Sequence, residues 1–183
     1  MAKRKSSRRP SAGPKNGLRV RRSSDGRGWV LVHPRCARDR AEDLDEVRAM
    51  IEAGELDVAI EELRWLVSGC SEFIEAHRLL GELALAADND AALARGHFGF
   101  AVQLGLKTLR RARVAGPLPY SQLANRSFFE AGRGLVWVLA KLGMRSKAEQ
   151  LVGELIVLDP TDPLELRKLF DDATSGGLPI VEL

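Results

Sequence analysis

The sequence predicts an all-α fold: a short α-solenoid of three helix pairs, with a capping helix behind them and a basic arm in front. Three observations carry this expectation. First, an alanine is followed four and seven residues later by apolar side chains at Ala59, Leu63, Leu66, at Ala94, Phe98, Ala101, and at Ala148, Val152, Leu155. The last two runs continue to Leu104 and Leu158. Second, each run follows another apolar stretch of helical spacing, across a turn signal at Gly54, Asp88-Asn89-Asp90 or Gly143. Such spacing places the apolar residues on one helix face, and a small residue sits where the paired helices cross. Third, hydrophobic residues make up 45% and charged residues 29% of the chain, which suits a globular domain. One helix pair cannot bury its own apolar face, so copies must stack.

The elements follow in order. Residues 1–27 are rich in Lys, Arg, Ser, Gly and Pro, with too little apolar surface to offset chain entropy, and are expected to be a disordered basic arm. No apolar core follows the basic stretch, which argues against a secretory or twin-arginine signal. Trp29-Val30-Leu31-Val32, stopped by Pro34, reads as part of an extended strip over 28–40 lying on the domain. The helical domain spans 41–173, with units at about 41–70, 74–105 and 125–160. In the first unit Leu44, Val47, Met50 and Ile51 mark one helix, and 57–67 the other. The second unit pairs 73–87 with a helix from Ala91. The third runs from Phe128 to Leu142 and from Ser146 to Leu158, opened by a Ser127/Glu130 capping box or by Asn125. Asp159-Pro160 ends it. Asp162, Pro163 and Glu165 then read as cap, first helical residue and box partner of a capping helix over 162–172, before a tail at 174–183.

Charge is unevenly placed. Residues 1–40 hold thirteen Lys/Arg against two Asp, whereas 41–183 hold fifteen basic and twenty-three acidic residues. An acidic domain therefore carries a basic arm. No apolar run reaches the roughly 20 residues that span a bilayer, so no membrane partner is expected. Cys36 and Cys70 are far apart in sequence and form no CxxC, which reads as a reducing, cytoplasmic setting. Nuclear import through the arm is open if the source cell has a nucleus.

The residues Ala131, Leu135, Gly143, Ala148, Leu158 and Asp159-Pro160 of the third unit resemble the tetratricopeptide repeat, a unit of about 34 residues. Ala76, Leu80-Gly81, Ala94, Phe98 and Ala101 continue the resemblance in the second unit, and Val47, Gly54, Ala59 and Leu63 in the first. The family's Trp and Tyr signature positions are mostly unfilled. The resemblance implies a right-handed solenoid that binds a protein or peptide on its concave face. Ala59 to Ala94 is one period, but Ala94 to Ala148 is about twenty residues too long. The excess is Gly105 to Ala124; it extends the fourth helix to about Val114 and adds a Gly116-Pro117-Leu118-Pro119 loop. Such insertions often shape the binding surface.

By the same resemblance, the concave stripe holds Arg48, Ile51 and Glu52, then Glu75, Arg78, Glu82 and Leu85, then Glu130, Arg133, Trp137 and Lys141. Arg48, Arg78, Arg133 and Lys141 beside Trp137 would grip a peptide with an acidic or carboxylate group. The alternative is a solvated face laced by Glu75–Arg78 and Glu130–Arg133 pairs. Chaperone-tail clamps of this family use asparagines on the stripe, where this chain has Arg48, Glu82 and Trp137. A second candidate partner is nucleic acid or the ribosome, met by Lys3, Arg4, Lys5, Arg8 and Arg9 of the arm and by Lys107, Arg110, Arg111 and Arg113. No nucleophile-and-base pattern or phosphate-cradling loop is present, and no cofactor or catalytic role is expected. His33 and Cys36 have an H-x-x-C spacing without a second pair nearby, with Cys70 or His97 as conceivable remote partners. His77 lies in line with Ala76 and Leu80 and reads as a packed residue, while Gly96, Gly99 and Gly105 read as sites of close helix packing.

Overall fold

The computed structural model describes residues 17–114 and 116–175. Helices dominate it. They are α1 (Arg35–Arg38), α2 (Ala41–Glu52), α3 (Leu56–Gly69), α4 (Ile74–Ala86), α5 (Ala91–Arg111), α6 (Leu123–Lys141), α7 (Arg145–Leu158) and α8 (Leu166–Ser175). The crossing alanines Ala59, Ala94 and Ala148 are all fully buried. Gly54 and Gly143 turn the chain with φ of +80° and +71°, a conformation that costs a residue without Cβ little. In the second pair Asn89 takes the left-handed position, and the Asp90 carboxylate caps α5 by accepting Leu93 N–H at 2.9 Å.

Packing runs from neighbour to neighbour. Each helix from α2 to α7 packs on the next in the chain, α7 packs on α8, and α4 and α8 both lie against α6. Phe98 is the hub of the middle. A Cβ at Gly81 of α4 or at Gly134 of α6 would stand 2.7 or 2.6 Å from its ring, so both glycines make room for it. Gly105 makes room for Phe128 in the same way, but nothing stands within 4 Å of a Cβ at Gly96 or Gly99, which are not packing glycines. The buried residues form two clusters rather than one seam. Leu44, Val47, Leu63, Leu66 and Phe73 belong to one, and Phe98, Phe128, Phe129, Leu155 and Phe170 to the other. Helix α4 contributes to both, with Leu79, Leu80 and Leu83 in the first and Ile74 and Ala84 in the second.

Residues 17–27 do not belong to a disordered arm. They build a β-hairpin of β1 (Arg19–Arg22) and β2 (Trp29–Val32), antiparallel, with Val20 opposite Leu31. Alternation puts Leu18, Val20 and Leu31 against the main cluster. Each strand has only four residues, so the pairing depends on burial against the helices, which sequence periodicity does not report. The 28–40 segment is likewise a strand followed by a short helix, and residues 1–16 lie outside the described residues.

The insertion seats this hairpin. Trp29 N–H donates to the Pro117 carbonyl at 2.9 Å, and a Cβ on Gly28 would meet the Pro119 ring at 2.7 Å. Leu118 is fully buried and donates its N–H to the Leu158 carbonyl at 2.8 Å, while Tyr120 N–H donates to the Asp159 carboxylate at 2.7 Å. Helix α5 reaches Arg111, short of Val114, and α6 starts at Leu123 rather than Phe128. Asn125 is therefore inside α6 and caps nothing. Its fully buried amide accepts Leu31 N–H at 2.9 Å and donates to the Trp29 and Pro119 carbonyls at 3.0 and 2.9 Å.

The capping helix is also displaced. Glu165 adopts φ +50° outside it, and α8 starts at Leu166, whose N–H donates to the Asp162 carboxylate at 2.8 Å. Asp162 thus caps a later helix than the box pattern placed. Residues 176–183 of the tail lie outside the described residues. The cysteines are joined: a Cys36–Cys70 disulfide ties α1 to the end of α3. The free-thiol premise for a reducing, cytoplasmic setting falls with it, since disulfides persist in oxidising surroundings. Among the described residues no helix is long and apolar enough to cross a membrane.

Candidate partner-binding cleft

Helices α4 and α6 lie side by side with their polar stripes facing the same way, and a cleft of about 800 Å³ opens between them. Arg78, Glu82 and Leu85 of α4 form one wall, and Glu130, Arg133 and Trp137 of α6 the other. Tyr120 of the insertion closes one part, and Leu164 and Leu169 around the start of α8 another. The expected stripe is therefore partly assembled here. Arg48 and Glu75 border a second groove of about 560 Å³ with His33, Asp45 and Leu123. Ile51 packs into the first pair's core and Glu52 is exposed outside both hollows.

The charges are arranged differently from the expected acid-binding wall. Arg78 has a side chain only 13% exposed, and Glu75 grips it at Nη2 and Nε at 2.7 and 2.9 Å. Glu82 bonds its Nη1, and Glu130 lies 3.3 Å from its Nε. Arg48 in turn meets Glu75 at 2.9 Å and Asp45 at 2.6 Å. Four carboxylates thus surround two guanidiniums. Burial opposes the charge on Arg78, but the hydrogen bonds it donates to Glu75 and the charges of Glu75, Glu82 and Glu130 outweigh it and raise its pKa. Burial likewise opposes the charge on Glu75, and Arg78 and Arg48 overcome it, lowering its pKa. At Glu82 burial wins over Arg78 and the pKa rises, with the neighbouring Glu75 and Glu130 pushing the same way.

Arg48 and Arg78 are therefore committed to carboxylates of their own chain. The Glu75–Arg78 pair expected of a solvated face does form, but with both side chains largely buried; the Glu130 partner is Arg78 rather than Arg133. Arg133 is exposed and makes no ion pair among the described residues. The Lys141 ammonium stands 5.7 Å over the Trp137 ring, leaving that ring half-buried and facing the cleft. Tyr120 was not picked out individually by sequence reasoning. Its hydroxyl donates to Glu130 at 2.9 Å, and the only signal for it was the anomalous insertion in which it lies.

The remaining candidates lie elsewhere. Lys107, Arg110, Arg111 and Arg113 are exposed at the end of α5, with Arg110 paired to Glu154 at 3.2 Å. Lys3, Arg4, Lys5, Arg8 and Arg9 lie outside the described residues. Cys36 is bonded to Cys70 and has no thiolate to offer a metal. His33 Nε2 donates to the Ala124 carbonyl at 2.8 Å, holding the end of β2 on α6, and burial lowers its pKa. His77 is partly buried between the Ser71 carbonyl at 3.1 Å and His97 Nδ1 at 3.4 Å. Among the described residues no three His, Cys, Asp or Glu side chains gather as a metal site. No family model, no curated protein and no solved structure matches this chain.

Proposed function

We propose that this chain is a non-catalytic interaction module, a short right-handed solenoid of tetratricopeptide-like pairs that holds a partner's extended peptide in the α4–α6 cleft. The neighbour-to-neighbour packing of the helices, with α4 and α8 both against α6, supports the solenoid reading. The observation that carries the binding reading is the cleft itself: Trp137 and Leu85 beside Arg133, on walls fixed by the Arg78 carboxylate network. An apolar peptide side chain docks between Trp137 and Leu85. A neighbouring acidic group meets Arg133, the cleft cation that makes no ion pair among the described residues. Arg48 and Arg78 act on the ligand only through the walls they stiffen, so little ordering cost remains for binding.

The test is a titration of short synthetic peptides, each with one aromatic or leucine residue next to one glutamate, followed by amide chemical shifts of the full chain. Binding should perturb Trp137 and Arg133, weaken at least tenfold in Trp137→Ala, about 1.4 kcal/mol, and respond to charge reversal in Arg133→Glu. Saturable binding that leaves both residues unperturbed would place the peptide elsewhere and end the reading.

A further inference from the structure

The hairpin carries cations of its own, and none of its residues lines the cleft. Arg19, Arg21 and Arg27 are exposed on the hairpin, and β1 packs directly on α5, where Lys107, Arg111 and Arg113 are exposed as well. The two elements share an interior: Leu18 and Val20 belong to the same apolar cluster as Leu109, Val114 and Leu118. At the hairpin's turn end, Trp29 N–H bonds the Pro117 carbonyl, four residues beyond Arg113. The carboxylates recorded at these elements are engaged, and Glu72 accepts the Leu18 N–H at the start of β1. Asp25 is occupied by the Ser23 hydroxyl and by Arg27 N–H at 3.0 Å, and Glu154 takes Arg110. Six further Lys/Arg lie in residues 1–16, directly before β1 in sequence.

Each half has an ordinary explanation by itself. Charged side chains protect an edge strand from pairing with another chain, and cations suit the end of a helix. Neither accounts for packing two cationic elements against each other, since like charges repel. We propose that β1 and the end of α5 form a binding face for the phosphodiester backbone of single-stranded nucleic acid. Arginine is the residue whose planar fork fits phosphate oxygens in pairs, and it supplies all the hairpin's cations. Alternate residues of a strand repeat at about 7 Å, near the step between phosphates in a stretched single strand. The aromatic ring at hand, Trp29, is already covered by the Arg22 guanidinium at 4.3 Å, so the face reads charge rather than base sequence.

The experiment follows the anisotropy of a fluorescein-labelled oligouridylate against the full chain over a range of potassium chloride concentrations. Three variants are compared: Arg19→Gln/Arg21→Gln, Lys107→Gln/Arg111→Gln, and a neutralised arm with Lys3, Arg4, Lys5, Arg8 and Arg9 changed to Gln. Circular dichroism checks that each is folded, and Arg133→Gln serves as a cleft control. Both double variants should weaken binding at low salt and flatten the dependence of log affinity on log salt by roughly 0.7 for each phosphate no longer neutralised. The cleft control should bind as the native chain does. If only the arm variant loses affinity, the fixed face is not the site. The proposal is also overturned if the chain ignores the oligonucleotide and instead binds vesicles containing phosphatidylserine, which would make the face a lipid surface.

Discussion

The first and third helix pairs share one pattern of small and large apolar residues but are secured by different means. The pair α2–α3 packs chiefly on α4 and is fastened by the Cys36–Cys70 bond between α1 and the end of α3. The pair α6–α7 is enclosed. Helix α6 packs on α4, α5, α7, α8 and β2, and Asn125 knots it to the hairpin and the insertion with three hydrogen bonds. An end unit of a stack buries less of itself, so a covalent tie contributes most there. A central unit can rely on burial, and then its polar core group must be fully satisfied. The candidate cleft lies where the enclosed part begins, and its charged walls are joined by the Arg78–Glu130 pair between α4 and α6.

The comparison can be broken from either side. The largest effect should come from Cys36→Ser/Cys70→Ser. The bond closes a loop with a sequence separation of 34 residues, and its removal should cost about 4 kcal/mol in urea unfolding. Hydrogen exchange should then rise first in α2 and α3, and a uniform rise would show that the two clusters unfold as one. Asn125→Ala comes next. It strands the Leu31 N–H and the Trp29 and Pro119 carbonyls in the interior and should cost about 2 kcal/mol. Here the loss should appear in the hairpin and the start of α6, leaving α2 and α3 protected.

The smallest effect is one of pH. Burial holds the His33 pKa below its unfolded value, so the unfolded chain takes up the proton more readily. Stability from this group is present above an unfolded pKa of about 6.5 and is lost as pH falls from there toward the folded value. His77 and His97 shift the same way, also through burial. The decisive measurement is therefore the difference between the native chain and His33→Gln in urea midpoints at neutral and mildly acidic pH. The variant should lose less on acidification, and equal slopes would remove His33 from the account.

Regular features were legible in the chain. The alanine crossings, the helix pairs and the turns at Gly54 and Gly143 follow from helical periodicity and from the cost of left-handed backbone, both local matters. Part of the cleft was legible too, because residues three and four apart share a helix face, and Arg78, Glu82, Leu85, Arg133 and Trp137 do line it. Their electrical meaning was not. Spacing places an arginine on a face but does not count the carboxylates that a second helix brings to it, and Glu130 reaches Arg78 from α6.

What the sequence determined by itself is the helical pairing, since that depends on residues close together in the chain. Tertiary structure alone decided the hairpin, the disulfide, the inward place of Asn125 and the sharing of Arg78 among three glutamates. Leu31 meets Asn125 across 94 residues, and Cys36 meets Cys70 across 34. Contacts of that range leave no periodic trace in either partner's neighbourhood, because they are fixed by which surfaces the packed helices leave open.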